Sequence, residues 1–326
     1  MLKLLILTCI MLVSLLSISN AAESTVPDSS AVVKTDTVSN WKTTGIISLM
    51  LNQLSLVNWT KGGENALSGI FSFKYNANYA KDGFAWDNSL LADYGLQQTD
   101  DNPIRKNQDR IDFSTKLGYK AVTNFYYTVL GSFKSQFAAG YKYPDDSTVV
   151  SRFFSPAYLI ISVGIDFKHK DIFSFYLSPM TGKMTFVSDT KLADLGTYTS
   201  EPAKYDTYNV LISHGKKIVS NFGAFMKAAF KKDIMTNINL SSKIELFNNY
   251  TDKITDNRSN VDVDWETALT MKVNEFISAN IFAHLIYDHD IKVPLYETID
   301  GVKTKTGDGR RLQFKEALGV GLSYKF

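Results

Sequence analysis

The chain has 326 residues, of which 44% are hydrophobic and 13% aromatic, and its formal net charge is +2. This nearly balanced charge argues against a nucleic-acid partner, because such partners call for a strongly basic surface. The only cysteine, Cys9, lies close to the amino terminus, so the rest of the chain has no thiol and no disulfide framework.

The first 21 residues have the pattern of a secretory signal peptide. Lys3 supplies the positive start, residues 4–16 form an apolar core, and Ser19-Asn20-Ala21 is a small-residue cleavage site. Cys9 lies inside the apolar core instead of closing it, which argues against a lipoprotein. Beyond residue 21 no run of apolar residues is long enough for a spanning helix. We expect a signal peptide at 1–21, then a periplasmic leader at 22–44.

From Gly45 to the end, the chain alternates strand-like segments with connections. Short and long connections alternate strictly, as in outer-membrane barrels with short periplasmic turns and long extracellular loops. The sequence therefore predicts an all-β fold over 45–326, a transmembrane antiparallel β-barrel of twelve strands with both termini at the short-turn end. The predicted strands are 45–57, 66–80, 84–97, 109–122, 125–137, 157–168, 172–185, 218–231, 237–250, 260–273, 277–288 and 310–326.

The last strand has the clearest pattern. Its even-numbered residues, such as Leu318 and Leu322, are mostly apolar, and its odd-numbered residues are small or polar, which predicts lipid outside and a polar lumen inside. Glu316 is the exception on the apolar face. Strand one is apolar on both faces, which leaves its register open, and a bulge near Asn52 would fit it.

Outward-facing aromatic residues are predicted to collect at both ends of the strands, as two girdles at the headgroup layers. Those at the short-turn end are Tyr79, Phe84, Tyr119, Phe125, Phe167, Phe173, Phe230, Tyr324 and Phe326. Those near the loop end are Trp59, Tyr94, Phe113, Phe137, Tyr250, Trp265 and Tyr287.

Three segments resemble a known family. The stretch Asn52-Gln53-Leu54-Ser55-Leu56-Val57-Asn58-Trp59-Thr60-Lys61-Gly62-Gly63-Glu64-Asn65 is similar to the opening of domain of unknown function 3078, a family of Bacteroidetes-type bacteria. Ser178-Pro179-Met180-Thr181-Gly182-Lys183 and Lys243-Ile244-Glu245-Leu246-Phe247-Asn248-Asn249-Tyr250 look like later landmarks of it. The resemblance covers residue 40 to the end and implies an outer-membrane location, but it carries over no catalytic residue. The closing residues Leu322, Tyr324 and Phe326 are similar to the signal that barrel-assembly machinery recognises.

Folding the predicted hairpins brings charged residues together inside the barrel. Glu266 falls opposite His284 and beside Lys243, and Asp262 falls opposite Asp288. Such a layer fits either a substrate-binding or proton-handling site or a salt-bridge ladder that fills a narrow lumen. The candidate lumen residues are Lys116, Lys134, Lys243, Glu266, His284, Arg311 and Lys315. Asp262, Asp288, His289 and Asp290 gather near the loop end, without the spacing of a calcium loop.

Three functions remain open from the sequence. The first is a narrow passive channel for a small polar or weakly anionic solute, favoured by the lysine-rich inward faces. The second is a non-conducting barrel with a structural role or with binding through the loops 138–156, 186–217 and 289–309. The third, a lipid-modifying enzyme, lacks a serine–histidine pair on the outer wall. We expect no catalytic constellation, no cofactor and no metal; the expected partners are outer-membrane lipid, the barrel-assembly machinery and a small solute. The oligomeric state stays open.

Overall fold

The computed structural model describes residues 39–56, 64–99, 102–143, 145–198, 201–291, 293–299 and 302–326. The predicted signal peptide and residues 22–38 of the predicted leader lie outside these ranges, as does Trp59. Within them, no helix has the length and hydropathy to cross a membrane.

Twelve antiparallel strands close into a barrel, which confirms the predicted fold. Around the ring the order is β1, β2, β3, β4, β5, β8, β9, β12, β13, β14, β15 and β18. Their bounds are β1 Trp41–Leu54, β2 Ala66–Lys81, β3 Phe84–Thr99, β4 Asn102–Val122, β5 Phe125–Ser135, β8 Ala157–His169, β9 Phe173–Phe186, β12 Ile218–Met235, β13 Ile238–Asn249, β14 Val261–Lys272, β15 Ile277–Tyr287 and β18 Gln313–Lys325.

Four strands differ from prediction by three residues or more at an end, and one of them, β12, ends at Met235 instead of residue 231. β1 begins at Trp41 instead of residue 45, because Trp41 through Thr44 pair with β2. β4 begins at Asn102 instead of residue 109, since its first residues pair with the end of β3. β18 begins at Gln313, three residues later than predicted. The alternation of side chains holds in each case, but it does not mark where hydrogen bonding to a neighbouring strand stops.

The short turns lie at the same end of the barrel as the beginning of the first barrel strand and the end of the last. The β2–β3 turn is Asp82-Gly83, and both residues have positive φ (48° and 83°), as a two-residue hairpin turn requires. Asn124 and Lys170 take positive φ in the β4–β5 and β8–β9 turns. The backbone N–H and C=O of Gly45 exchange hydrogen bonds with those of Phe326, which joins β1 to the residue that follows β18.

The outer face is largely apolar and exposed. On β18, Phe314, Leu318 and Val320 each expose more than half of their surface. Glu316 lies between them, opposite Ala283 of β15, and is also exposed. Exposed aromatic residues occur at both strand ends, as the sequence predicts.

A bulge interrupts β9 at the segment that sequence analysis singled out as a family landmark. Between Ser178 and Thr181 the register shifts against both neighbouring strands. The Ser178 hydroxyl donates to the carbonyl of Val163 (2.7 Å) and accepts from the amide of Met180 (3.2 Å), so it satisfies the irregular backbone. Gly164 and Gly223 flank the bulge, and a Cβ there would lie 2.1 Å and 1.8 Å from neighbouring carbonyl oxygens. The segment 178–183 therefore has a structural role, because its side chains and its neighbouring glycines accommodate the bulge.

The barrel closes along a short seam. β1 pairs with β18 from Ile46 to Leu51, six residue pairs, and Gly45 adds the exchange with Phe326 just beyond the end of β18, whereas β1 pairs with β2 over all 14 of its residues. The register of β1 runs without a shift on both sides, so the bulge expected near Asn52 is absent from the described part of β1.

The long connections carry structure of their own. Three small hairpins extend them: β6 (Gly140–Tyr141) with β7 (Val149–Ser151), β10 (Lys204–Tyr205) with β11 (Leu211–Ser213), and β16 (Val293–Ile299) with β17 (Val302–Gly309). A short helix, α1 (Thr190–Asp194), begins at Asp189, whose side chain accepts from the amide of Leu192. Leu192 and Ala193 pack on Val187 in a small core outside the barrel.

Candidate functional site: a charged layer inside the barrel

Lys134 of β5 lies at the centre of a layer of charged side chains in the lumen. Its Nζ lies 2.7 Å from a carboxylate oxygen of Glu245 on β13 and 2.8 Å from one of Asp264 on β14. These strands are four and five positions away from β5 around the ring, so Lys134 spans the lumen. Glu245 is only 5% exposed, and Lys227 contacts its second oxygen at 2.9 Å. Buried charges of this kind require close partners.

Arg110 of β4 forms a second bridge across the lumen. Its guanidinium donates to Glu266 on β14 (2.5 Å) and to Asp93 on β3 (2.9 Å). β4 and β14 are six strands apart in either direction around the ring, so this bridge joins opposite walls. A guanidinium can serve two carboxylates at once because its donors lie in a fixed plane.

The predicted layer of lysine, glutamate and histidine is present. Glu266 pairs with His284 and with Lys243 in the strand register, which confirms both predictions. Lys243 Nζ lies 3.6 Å from Glu266 and 3.2 Å from Asp112 of β4. His284 Nε2 lies 2.8 Å from Asp264, so its closest carboxylate is two residue pairs along β14 from the predicted one, Glu266.

Apolar side chains fill the lumen beside the charged layer. Tyr176 is 1% exposed and Phe225 2%, and the Tyr176 hydroxyl bonds to Ser162 at 2.9 Å. The whole cluster comprises Leu130, Ile160, Tyr176, Phe225 and Phe247. Together with the ion pairs, this cluster occupies the part of the interior that borders β5, β8, β9, β12 and β13.

The other candidate residues are placed as follows. Lys116 bonds to the fully buried Asp166 at 2.8 Å. Lys315 donates to the carbonyl of Asn107 at 3.3 Å and to the side chain of Gln108, both on β4. Arg311 does not join the lumen layer, contrary to prediction: it precedes β18, is exposed, and donates to the carbonyl of Arg310.

The closing residues of the predicted assembly signal lie on the outer face of the seam. Leu322, Tyr324 and Phe326 are all about half exposed, and the rings of Tyr324 and Phe326 stack 6.2 Å apart. The Phe326 ring covers Gly45, where a Cβ would lie 2.2 Å from it.

The acidic group near the loop end surrounds a lysine. Lys183 Nζ lies 2.9 Å from Asp262 and 4.0 Å from Asp288. Burial raises the pKa of Asp288, an effect that Lys183 opposes, and burial also raises the pKa of Asp290. The backbone amide of His289 donates to Asp262 at 3.2 Å. A lysine at the centre is the arrangement of an ion-pair cluster, which disfavours a cation site.

One trio has the composition of a metal site. Ligand atoms of Asp264, Glu266 and His284 all lie within 4.8 Å of one another. However, Lys134 and Arg110 already neutralise the two carboxylates at 2.8 Å and 2.5 Å. A metal would have to displace both cations, so the trio is better described as part of the ion-pair layer.

Sequence reasoning missed two members of this interior. Glu245 alternates with Lys243 on β13, so counting by two from that lysine would have found it. Lys183 was missed because the β9 bulge reverses the alternation: Tyr176 and Ser178 share the inner face with Thr181 and Lys183. A bulge of this kind is not visible as a change in hydrophobic period.

The fold and its layer define a class, the closed twelve-stranded antiparallel barrel of outer-membrane type with a charged interior. Residues 51–141 match a family model described as "Protein of unknown function (DUF3078)", which confirms the resemblance over that segment. No curated protein matches the chain.

Several solved barrels are similar at low identity. An outer-membrane channel from Pseudomonas putida F1 has 9% identity and a TM-score of 0.37, covering 87% of this chain and 95% of that one. OmpT of Vibrio cholerae has 7% identity and a TM-score of 0.30 over 88% and 97% of the two chains. A Pseudomonas aeruginosa FadL homologue has 9% identity and a TM-score of 0.27 over 87% and 88%.

Proposed function

We propose that this chain is an outer-membrane barrel, exported by its signal peptide, whose lumen is closed in the resting state and whose activity lies in its outer loops. The bridge from Arg110 to Glu266 carries the proposal, because it joins opposite walls of the barrel. The apolar outer face and the two aromatic belts support the membrane location.

The loop hairpin β10–β11 supports a binding role. Its apolar side chains are open to solvent, although single exposed apolar residues are ordinary. Tyr208 is 86% exposed and Ile212 66%, and Tyr205, Val210 and Leu211 are exposed beside them. The base of this hairpin is fixed by Asp194, which accepts from the amide of Gly215 at 2.8 Å. A fixed hairpin with exposed apolar residues is suited to contact a partner at the cell surface.

A passive channel is the second candidate function. The hydroxyls of Thr128 and Ser132 are buried on the inner face of β5 and have no hydrogen-bond partner among the described residues, which favours water inside the barrel. If the ion pairs exchange partners, such water could extend into a narrow path for a small polar or weakly anionic solute.

Conductance separates the two functions. We expect the refolded, detergent-purified protein to be silent in a planar bilayer, and removal of the bridge by Arg110→Ala with Glu266→Ala to produce steady openings. Steady, anion-selective openings of the wild type would establish the channel and overturn the closed barrel. For the binding role, replacing residues 205–212 by a short Gly-Ser turn should abolish retention of the partner on whole cells, while the barrel stays heat-modifiable on a gel.

A further inference from the structure

An aromatic groove lies on the outer face at the short-turn end of β1, β2 and β3. It has a volume of about 470 Å³ and is lined by Trp41, Tyr79, Phe84 and Trp86, with Lys81 and Asp82 of the turn at its rim. These residues include Trp41, which the sequence placed in the leader.

The rings meet at steep angles, so they form walls around a space. Trp41 lies 5.3 Å from Tyr79 and 5.6 Å from Trp86, each pair at 58°, and Tyr79 meets Phe84 at 6.1 Å and 71°. Trp41, Phe84 and Trp86 remain about 40% exposed, so ring surface is left for a ligand.

The groove is held in place from behind. Trp86 Nε1 donates to Thr115 Oγ1 of β4 at 2.9 Å, which fixes the indole plane. The backbone of Trp41 pairs with Tyr79, and its amide donates to Ser39 Oγ at 3.2 Å. These contacts fix the ring planes, and a rigid binding surface lowers the entropic cost of binding.

The rim carries both signs of charge. Lys81 and Asp82 are exposed, and neither forms an ion pair with another described residue. The aromatic faces attract a cation, Asp82 adds a negative charge beside them, and Lys81 adds a positive one.

We propose that this groove binds the headgroup of a zwitterionic phospholipid that carries an ammonium, such as phosphatidylethanolamine. The ammonium lies against the rings near Asp82, the phosphate contacts Lys81, and the acyl chains follow the apolar wall above. The inference rests on the membrane location proposed above, and it makes the expected lipid partner specific.

Quenching of tryptophan fluorescence by brominated lipid tests the proposed headgroup site. The chain has four tryptophans, so Trp59→Phe with Trp265→Phe leaves Trp41 and Trp86 as the reporters. This protein is reconstituted in phosphatidylglycerol vesicles that contain a small share of brominated phosphatidylethanolamine or, separately, brominated phosphatidylglycerol. We expect an apparent affinity about fivefold higher for the ethanolamine lipid.

Two variants distinguish recognition from simple membrane contact. Lys81→Gln with Asp82→Asn should remove the preference while quenching by both lipids persists. Phe167→Leu alters another aromatic pair of the same belt (Phe125 and Phe167, 5.0 Å apart) and should leave the preference unchanged. Equal quenching by both lipids in the unmodified rim would overturn the headgroup site but keep the membrane location. Quenching by neither lipid would overturn both.

Discussion

Arg110 of β4 and Glu266 of β14 form an ion pair across the full width of the barrel, since their strands are opposite each other in the ring of twelve. Neither side chain is more than a fifth exposed. A contact between opposite walls both closes the lumen and ties the two halves of the barrel together. Its removal should therefore change stability and permeability at once.

Arg110→Met should destabilise the barrel by about 3–5 kcal/mol, because it removes the closest cation from two largely buried carboxylates, Asp93 and Glu266. Unfolding in urea, followed by tryptophan fluorescence, measures the loss. Adding Glu266→Met should restore part of it, with a coupling of about 1–3 kcal/mol. The matched control is Asp308→Asn, which breaks the exposed pair Lys305–Asp308 on the β16–β17 hairpin (2.8 Å) and should cost less than about 1 kcal/mol. Equal losses at the two sites would contradict the bridging role.

The β9 bulge leads to a prediction about glycine. Gly223→Ala should prevent proper closure of the wall or cost at least about 1–3 kcal/mol, because the new Cβ would lie 1.8 Å from the carbonyl oxygen of Asn248. Gly182→Ala is the control, since the nearest atom to its Cβ is 3.9 Å away. Heat-modifiable migration on a gel reports the folded fraction. Normal folding of the Gly223 variant would mean that the backbones of β12 and β13 can move apart.

The outer loop should lose order in acid. Hydrogen bonds from Lys253 and Lys216 lower the pKa of Glu201 to about 2. A carboxylate whose pKa is lower in the folded loop stabilises that loop above its unfolded pKa of about 4.3 and stops doing so as the pH falls through about 2. The protection factors of the amides of residues 201–217, which compare the exchange rate with the intrinsic rate at each pH, should fall over this range. In Glu201→Gln, protection of these amides should be low already at neutral pH and should change little between about pH 4 and about pH 2. If the variant loses protection in acid as the wild type does, another group causes the loss of order.

The last residue should matter for assembly. Phe326→Ala uncovers Gly45 but keeps the backbone bonds between the two residues. If the assembly machinery binds this aromatic terminus, as the resemblance of Leu322, Tyr324 and Phe326 to its signal implies, the yield of folded barrel in cells should be severalfold lower while refolding in detergent stays near normal. Phe314→Ala, which removes an exposed ring near the start of β18, is the control. If both variants fail equally in detergent, the effect is one of stability.

The strands and much of the lumen layer could be read from the sequence because both depend on local rules. Alternation places Glu266 on the inner face, and a short turn at residues 273–276 then sets it opposite His284. The partner of Arg110 could not be read in this way. Which residues meet across a barrel depends on strand tilt and shear, and these are properties of the closed ring as a whole.

Two further misses have local causes. Trp41 is followed by the polar residues Lys42, Thr43 and Thr44, so the apolar pattern that marks the strand begins only after Gly45. Arg311 continues the alternation of β18, yet the strand starts two residues later, at Gln313. The neighbouring Arg310 contacts the preceding loop instead, since its guanidinium donates to the carbonyl of His289 at 2.6 Å.

The six-pair seam between β1 and β18 also bears on how the barrel is made. These two strands are the first and the last of the barrel, so their pairing is the contact of greatest sequence separation in the fold. Contacts of this kind carry the largest loop-closure cost and form slowly. The eleven other pairings join strands that follow one another along the ring in chain order, so each hairpin can form before the ring does. Closure is therefore expected to be the final, rate-limiting step, and before it the chain is an open sheet with two unpaired edges.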